Sequence, residues 1–306
     1  MKVLLATDGS EYADEAARFL AHLAHADKLD ISVLTVVNIP YVNSTRPNAE
    51  WKPEFIAKET EVAKQAYERV VEMFEGAYAT LRHVSREGYL GETIIDEAKK
   101  SQAELIVMGA RGRTTISRIL LGSTSDYVAT HAPCSVLVVR PTGIQTRDHQ
   151  RLRVALAYDE TAPSQAAIEE FSEFQWGPQT EMHVVSAVSY VSEFLNEVVV
   201  EPNAVKGAAE NAVRKAAEQL REVAPLVQSH LIESDHIGDG IVQFAEENDC
   251  DLVVMGSASR STLSQFVLGS ISRYVLRHAP CSVWITRNRM VEGIKKQAGK
   301  DSAELV

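Results

Sequence analysis

Five residues in the first half of the sequence have types and spacing that suit the binding of a phosphate group. Gly109 and Gly112 are separated by two residues, and nine residues later Gly122 precedes Ser123 and Thr124 at the start of a predicted helix. Glycines let a backbone approach a ligand closely, and a helix N-terminus presents unpaired N–H groups and the positive end of a dipole. The alternative is a strand–loop–helix connection whose glycines serve only turns. Because no Gly-Lys-Ser/Thr occurs here, the stretch is not a Walker loop.

A second candidate is Asp8, which directly follows the first predicted strand in the segment ATDGS. This segment lacks the GxGxxG dinucleotide fingerprint. In open parallel sheets, ligands bind beyond the carboxyl ends of the strands, where the strand order reverses. If the order is 3-2-1-4-5, Asp8 and Gly109 flank one crevice, and the carboxylate can accept hydrogen bonds from ribose hydroxyls or a base amino group. Alternatively, Asp8 or Ser10 caps the first helix.

The remaining polar residues of interest have structural interpretations beside functional ones. Arg111, Arg113 and Arg260 lie in the glycine loop or its copy and either meet phosphate charge or stay solvated. His131 and His278 precede Ala-Pro-Cys at predicted helix ends, where an imidazole more often binds helix carbonyls than does chemistry. No nucleophile elbow, carboxylate pair or metal-ligand cluster is recognisable.

Composition excludes several classes of protein. The 306 residues carry 42 acidic and 31 basic side chains, a formal net charge of −11, which argues against nucleic acid and anionic membrane surfaces as partners. No stretch approaches the roughly 20 apolar residues of a membrane-spanning helix. Cys134, Cys250 and Cys281 form neither a zinc site nor a disulfide framework, so we expect a reducing cytoplasm. Cys134 and Cys281 are expected to be small buried hydrophobes.

The chain contains a tandem repeat. Residues 107–140 and 254–287 align without gaps, and 19 of the 34 pairs are identical. MKVLLATDGS at the start likewise matches RLRVALAYDET at 151–161. A period near 150 residues has the size of a domain and not of a solenoid repeat. The predicted boundaries are 1–141 and 151–287 for two domains, 141–150 for a polar linker and 288–306 for a flexible tail.

Each half alternates apolar runs with helical patterns. Runs rich in Val, Leu and Ile indicate strands that are covered on both faces, as in a parallel sheet. The alternation predicts right-handed crossovers and a doubly wound α/β sheet in each half. The predicted strands are 2–6, 31–37, 79–85, 104–108, 135–139, 153–157, 181–187, 227–232, 251–255 and 282–286. The predicted helices of the first half are 11–26, 54–76 (with Phe55, Val62, Ala66, Val70 and Phe74 at core spacing), 91–101 and 123–131.

These motifs resemble the universal stress protein family. The likeness rests on ATDGS after the first strand, the G-x2-G-x9-G-S loop and HAPCSVLVV entering the last strand, and it covers nearly the whole chain as two consecutive domains. The loop spacing is similar to that of the family's nucleotide-binding branch. The resemblance implies two tandem, five-stranded parallel sheets in the order 3-2-1-4-5, with an adenine nucleotide alpha hydrolase-like fold. It also implies that ATP is held by Asp8, Val36, Gly109, Gly112, Gly122, Ser123 and Thr124, with backbone atoms of Val36 near the adenine.

The second half departs from this pattern. DGS has become DET, Val36 is matched by Ala187, and Ser259 stands where Gly112 does in the first half. If Gly112 needs a positive φ, a serine there costs about 1 kcal/mol or more, and its Cβ crowds the phosphates. We therefore expect the first half to bind ATP and the second to bind it weakly or not at all. The residues that do match are Asp159, Gly256, Gly269 and Ser270.

The resulting hypothesis is a cytoplasmic stress-response protein that binds ATP or a related adenine nucleotide in its first domain, with or without Mg²⁺. It would act as a sensor or regulator, with at most weak ATP hydrolysis. The resemblance also implies an intramolecular pseudo-dimer built through the last strands, SVLVV and SVWIT, and is compatible with a homodimer. Two alternatives stay open: an ATP-using hydrolase or transferase, and a nucleotide-independent ligand-binding or scaffold module.

Overall fold

The computed structural model describes residues 1–25, 27–38, 51–113, 121–141, 152–189, 202–257 and 268–287. The chain divides into two compact units, residues 1–134 with 138–140 and residues 135–137 with 141–306. Ser259, Arg260, the linker beyond Pro141 and the tail from 288 lie outside the described residues. What the sequence predicts for them stays a prediction.

The first repeat is a parallel sheet with helices in its crossovers. Strand β1 pairs in parallel with β3 and β5, and β3 pairs in parallel with β4. The sheet order is β4-β3-β1-β5-β6, which is the expected 3-2-1-4-5 order of the five main strands. The elements are β1 (Lys2–Ala6), α1 (Glu11–His22), the two-residue β2 (Ala24–His25), β3 (Leu29–Val37), α2 (Trp51–Met73), β4 (Ala79–Glu87), α3 (Leu90–Ser101), β5 (Leu105–Gly109), α4 (Ser123–His131) and β6 (Ser135–Val139).

The central strands of this sheet are buried along their whole length. Every residue of β5 and β6 is buried, as expected for apolar runs that are covered on both faces. Helix α1 begins at a cap: Ser10 Oγ accepts the N–H of Ala13 at 3.2 Å, so Ser10 and not Asp8 is the N-cap. The predicted core stripe is buried at Ala66 and Val70 of α2 and at Phe74, which directly follows the helix.

The second repeat has the same architecture. Its sheet order is β10-β9-β7-β11-β12, and β7, β9, β10, β11 and β12 pair in parallel. Every residue of β11 and β12 is buried. The elements are β7 (Arg153–Ala157), α5 (Ala162–Phe171), the two-residue β8 (Phe174–Gln175), β9 (Glu181–Val188), α6 (Pro202–Leu220), β10 (Leu226–Glu233), α7 (Ile237–Glu247), β11 (Leu252–Gly256), α8 (Ser270–His278) and β12 (Ser282–Thr286).

The predicted strands agree with these bounds to within two residues, but two helices differ from their predictions. Helix α1 ends at His22 because buried Leu23 is extended, with φ −83° and ψ 100°, and leads into β2. Helix α2 lies three residues earlier than predicted, since the chain turns at Gly76, which has a φ of +81° that glycine adopts without strain. No helix in the described part of the chain is long and apolar enough to cross a membrane.

Candidate functional site

The glycine loop leaves the sheet at the end of β5 and returns at the start of α4. Gly109 packs against α1 so closely that a Cβ would lie 2.6 Å from both the carbonyl carbon and the oxygen of Tyr12. Behind it, Ser125 Oγ donates to the carbonyl of Gly109 at 2.9 Å. The N–H of Gly122 donates to the carbonyl of Ala110 at 2.8 Å. The absence of a side chain at Gly109 is therefore required by strand–helix packing, whatever else the loop does.

The carboxylate of Asp8 ties the loop to the end of β1. Its Oδ2 accepts the backbone N–H of Arg113 at 2.9 Å, and its Oδ1 accepts the N–H of Ser10 at 3.0 Å. The first of these bonds joins residues 105 positions apart in the sequence. Asp8 therefore has a role that the sequence did not predict: it fixes the height of the loop above the sheet.

Gly112 is needed for space beside Asp8 and not for its backbone angles. Its φ does not lie in the left-handed region, so the cost that a positive φ would impose on a serine does not arise at this position. A Cβ at this position would lie 2.7 Å from Asp8 Oδ2, which is inside van der Waals contact. A serine at position 112 would therefore push the Asp8 carboxylate away from the amide of Arg113.

A cavity of about 510 Å³ opens at the carboxyl ends of β1, β3 and β5. This is the edge at which open parallel sheets bind ligands. The structure brings together all of the residues that the resemblance implicates. Those lining the cavity are Asp8, Val36, Gly109, Gly112, Gly122, Ser123 and Thr124.

The cavity has an apolar region and a polar region. Leu34, Leu90 and Ile94 contribute aliphatic surface, while the loop and the start of α4 contribute backbone amides and hydroxyls. Helix α4 begins after Gly122, which offers no side-chain cap, so the first N–H groups of the helix have no capping acceptor from that residue. The arrangement suits a ligand that is apolar at one end and anionic at the other.

Sequence reasoning missed several residues that line the cavity, among them Asn38, Phe55 and Glu59. Asn38 follows β3 at the carboxyl edge, and the rule that ligands bind at that edge could have identified it. Phe55 was assigned to the core stripe of α2, but it is half-buried and lines the cavity. Glu59 is on the same helix and carries no signal in the sequence, because its position depends on how α2 packs.

Both loop arginines contact neighbouring side chains, although the side chain of Arg113 is still 41% exposed. Arg113 Nη2 donates to Glu59 Oε2 at 2.9 Å. Arg111 Nη1 donates to the Tyr12 hydroxyl at 2.9 Å, and its guanidinium carbon lies 5.4 Å from the centre of that ring, within the range of a cation–π interaction. Two cations therefore stand in the wall of the cavity beside the glycine loop.

The turn after β1 is held by α2. Gly9 has a φ of +73°, and its carbonyl accepts a hydrogen bond from Arg69 Nη2 at 3.2 Å. Arg69 Nε also donates to Asp14 Oδ2 at 3.2 Å. Helix α2 thus reaches the site twice, through Arg69 at the turn and through Glu59 at the glycine loop.

Comparison with known proteins agrees with this geometry. The model of the universal stress protein family matches residues 1–140 and 151–287. This chain belongs to the universal stress protein family. A universal stress protein of Methanocaldococcus jannaschii is 34% identical over 141 residues, which are 45% of this chain and 81% of that protein. One of Mycobacterium bovis is 27% identical over 295 residues, 93% of this chain and 96% of that protein. The crystal structure of a universal stress protein from Archaeoglobus fulgidus shares the fold, with a TM-score of 0.63 and 21% identity over 94% of this chain and 96% of that one.

The described residues of the second universal stress protein domain line a much smaller cavity at the equivalent edge. Its volume is about 90 Å³, against about 510 Å³ in the first domain. Tyr158 and Ile271 line it at the positions of Thr7 and Thr124, so larger or less polar side chains stand there. Asp159, Ala187 and Gly256 also line this cavity, while Gly269 and Ser270 form the N-cap and first residue of α8.

The aspartate of the second domain is engaged locally. Asp159 Oδ1 accepts the hydroxyl of Thr161 at 2.6 Å and its backbone N–H at 3.2 Å. Glu160, between Asp159 and Thr161, has a φ of +59°. The backbone is therefore left-handed here, as it is at the equivalent Gly9, although the residue is not a glycine. Gly256 is packed against α5, as Gly109 is against α1, and a Cβ there would collide with the carbonyl oxygen of Pro163.

The histidines and cysteines singled out in the sequence are structural. His131 Nδ1 lies 2.8 Å from the carbonyl oxygen of Tyr127, and His278 Nδ1 lies 2.8 Å from that of Tyr274, one helical turn earlier in each case. The three cysteines are buried, and burial raises the pKa of Cys250 to about 12, so that thiol is not a nucleophile. Among the residues that the structure describes, no group of three or more His, Cys, Asp and Glu could hold a metal ion.

Proposed function

We propose that the first domain binds ATP or a related adenine nucleotide, and that the protein acts as a nucleotide-dependent sensor or regulator in the stress response. The observation that carries this proposal is the cavity of about 510 Å³ with an apolar region and an amide-rich glycine loop. Its volume lies within the roughly 300–1,000 Å³ typical of small-molecule sites. Membership of the universal stress protein family makes a stress-related role the natural context.

The apolar region is suited to a purine base. Leu34 and Ile94 offer aliphatic surface against which an aromatic ring can pack, and Val36 presents backbone groups at the end of β3. Backbone N–H and C=O groups can read the hydrogen-bonding edge of a base. Asn38, beyond the end of the same strand, adds an amide that both donates and accepts.

The polar region is suited to a phosphate chain. The N-terminus of α4 supplies unpaired amides and the positive end of its dipole, with the hydroxyls of Ser123 and Thr124 beside them. Arg111 and Arg113 add two positive charges in the wall. Asp8 lines the same cavity and holds the loop, and its carboxylate can also accept ribose hydroxyls.

The described residues of the cavity do not by themselves form a Mg²⁺ site. Asp8 is a single carboxylate, and both of its oxygens already accept backbone N–H groups. Mg²⁺ commonly binds through one or two carboxylates together with substrate phosphates. In this proposal the ion arrives as the complex with ATP, and the hydroxyls of Ser123 and Thr124 line the cavity in which it would lie.

Binding, and not turnover, is the function that these residues support. Among the described residues that line the cavity, the carboxylates are Asp8, which is engaged as a loop anchor, and Glu59, which is paired with Arg113, and there is no imidazole. A general base needs a hydrogen-bonding position on the attacking group. The nucleotide therefore serves as a signal, and weak hydrolysis is the upper limit that we propose.

The second domain is proposed to bind the nucleotide weakly or not at all. A volume of about 90 Å³ is well below that of a small-molecule site, and Ser259 replaces the glycine that makes room for the aspartate in the first domain. One ATP per chain is the expected stoichiometry.

The test is the identity of the ligand that copurifies with the full chain. Protein purified without added nucleotide is heated, and the released supernatant is analysed by mass spectrometry and compared with that of a Gly112→Ser variant. An adenine nucleotide that is enriched with the unaltered chain and depleted with the variant supports the proposal. An unrelated ligand favours a nucleotide-independent binding module, and ADP accumulating at roughly 1 per second or faster from added ATP favours an enzyme.

A further inference from the structure

The ion pair between Glu59 and Arg113 joins helix α2 to the glycine loop. The Arg113 Nη2 to Glu59 Oε2 distance is 2.9 Å across 54 residues of sequence. Both side chains line the cavity of the first domain. The exposed fraction of the side chain is 41% for Arg113 and 19% for Glu59, so the carboxylate is the more sheltered partner.

The pair lies toward the mouth of the cavity. Along the loop, exposure increases from buried Ala110 through half-buried Gly112 to exposed Arg113. In the proposed binding mode a phosphate lies at the start of α4, near the base of the loop, and we place each further phosphate of the nucleotide closer to Arg113. The length of the phosphate chain therefore determines whether a ligand reaches the guanidinium of Arg113.

An anion that reaches Arg113 also meets Glu59. The carboxylate holds the guanidinium at hydrogen-bonding distance, and a phosphate that approaches the same guanidinium is repelled by the carboxylate. A guanidinium can bind a phosphate through two parallel hydrogen bonds, which favours the exchange of partners once the phosphate arrives. Arg113 thus has two alternative anionic partners, one in the protein and one in the ligand.

We infer that Glu59 and the terminal phosphates of the bound nucleotide compete for Arg113, so that this pair sets the preference for phosphate number and transmits it to α2. The inference rests on the proposed function of the first domain. Glu59 is a specificity determinant that acts by competition: it lowers affinity for every ligand that must displace it and leaves shorter ligands unaffected.

Helix α2 is the element that would respond. Arg69 attaches the same helix to the Gly9 carbonyl and to Asp14, ten residues beyond Glu59. Loss of the Glu59–Arg113 bond leaves that second attachment intact. The N-terminal part of α2 then becomes freer to open, while the part around Arg69 stays fixed to the site.

Calorimetric titration of the full chain with ATP, ADP, AMP and adenosine tests the competition. We expect Glu59→Gln to tighten ATP binding about three- to tenfold, because an exposed ion pair that opposes binding is removed. Arg113→Gln is expected to weaken ATP binding about tenfold through loss of a charge-assisted hydrogen bond. Adenosine affinity should change in neither variant, and the double variant should behave like Arg113→Gln. Glu61→Gln on the same helix and Arg18→Gln in the Glu15–Arg18 pair are the matched controls.

Amide hydrogen exchange tests the transmission. ATP, but not adenosine, should increase exchange over residues 54–62 and leave 66–73 unchanged, and Glu59→Gln should show the faster exchange over 54–62 without any ligand. The inference is overturned if Glu59→Gln weakens ATP binding, or if the variants change ATP and adenosine affinity equally. If ATP and adenosine both fail to bind the unaltered chain, the proposed function itself fails and this inference fails with it. If ATP binds but the variants do not show the predicted differences in affinity, the competition is refuted and the proposed function of the first domain stands.

Discussion

The carboxylate of Asp8 and the backbone amide of Arg113 form a 2.9 Å hydrogen bond that joins the end of β1 to the outer part of the glycine loop. The bond exists because Gly112 has no side chain, since a Cβ there would lie 2.7 Å from the same Asp8 oxygen. The loop is therefore positioned by a polar contact to the adjacent strand in addition to its own turns. The stability of the loop and its response to substitution at Asp8 and Gly112 depend on this contact.

Removal of the Asp8 carboxylate should loosen the loop. We expect Asp8→Ala to lower the free energy of unfolding by about 1–3 kcal/mol, because the amides of Arg113 and Ser10 lose an ionised acceptor. Urea denaturation measures the loss, and amide exchange of Arg113 should accelerate. Asp96→Ala on α3, where the carboxylate is largely exposed, should stay within about 0.5 kcal/mol of the unaltered protein. An equal effect of the two substitutions would contradict the anchoring role.

The two central glycines should respond differently to alanine. At Gly109 a Cβ meets the backbone of Tyr12, which cannot move without displacing α1, so Gly109→Ala should destabilise the fold by about 1–3 kcal/mol or more. At Gly112 the Cβ meets only the end of the Asp8 side chain, so the cost to stability should be smaller. Chemical denaturation compares the two variants, with Gly177→Ala as a control, because nothing lies within 4 Å of a Cβ at that position. A larger loss at Gly112 than at Gly109 would refute the packing argument.

The turn after the first strand of each repeat offers a reciprocal pair of substitutions. Gly9 and Glu160 have φ values of +73° and +59°, a region that costs an L-residue about 1–2 kcal/mol. Gly9→Ala should therefore destabilise the protein, whereas Glu160→Gly should stabilise it by up to about 1 kcal/mol after the entropy of glycine is counted. Glu160→Ala is the control, because it removes the carboxylate and keeps the strained backbone. Thermal and urea unfolding measure all three, and stabilisation by Glu160→Ala would mean that charge and not φ is responsible.

Much of this architecture could be predicted from the sequence. Continuous apolar runs located the ten strands of the two five-stranded sheets to within two residues, but not the two-residue β2 and β8. The spacing of Gly109, Gly112 and Gly122 identified the loop that lines the cavity. The structural requirement for glycine at positions 109 and 112 could not be predicted, because it depends on contacts with Tyr12 and Asp8, about a hundred residues away in the sequence.

The contributions of α2 were likewise invisible in the sequence. Phe55 lines the cavity and Arg69 bonds the Gly9 carbonyl because of the way α2 packs on the sheet. Hydrophobic periodicity predicts the helix, but it does not predict which loop the helix contacts. The intramolecular pseudo-dimer and the cytoplasmic location stay predictions.

A histidine pair in the second domain should make stability depend on pH. His183 Nδ1 lies 3.0 Å from His230 Nε2, and both rings pack on Phe244. Burial lowers the pKa of both imidazoles, and for His183 the neighbouring His230 and Arg153 lower it further, while Glu181 opposes them. The unfolded chain therefore binds more protons than the folded chain below the ordinary histidine pKa of about 6.5.

Because the folded chain binds fewer protons, acid lowers its stability. The stability that depends on these two neutral rings is complete above pH of about 6.5 and is lost as the pH falls from there through the lowered pKa values. The free energy of unfolding, measured between pH of about 7.5 and 5.5, should fall less steeply in His230→Gln than in the unaltered chain. His22→Gln, at an exposed position on α1, should leave the slope unchanged. An identical slope in all three proteins would exclude the pair as its source.

The central claim is that the first domain alone holds an adenine nucleotide through its glycine loop. Calorimetric titration of the full chain with ATP tests it most directly, using Gly112→Ser to introduce the residue of the second repeat and Gly177→Ser as the matched control. We predict one ATP per chain, at least about tenfold weaker binding in Gly112→Ser and unchanged binding in Gly177→Ser. Two equivalents per chain, or full affinity in Gly112→Ser, would contradict the account.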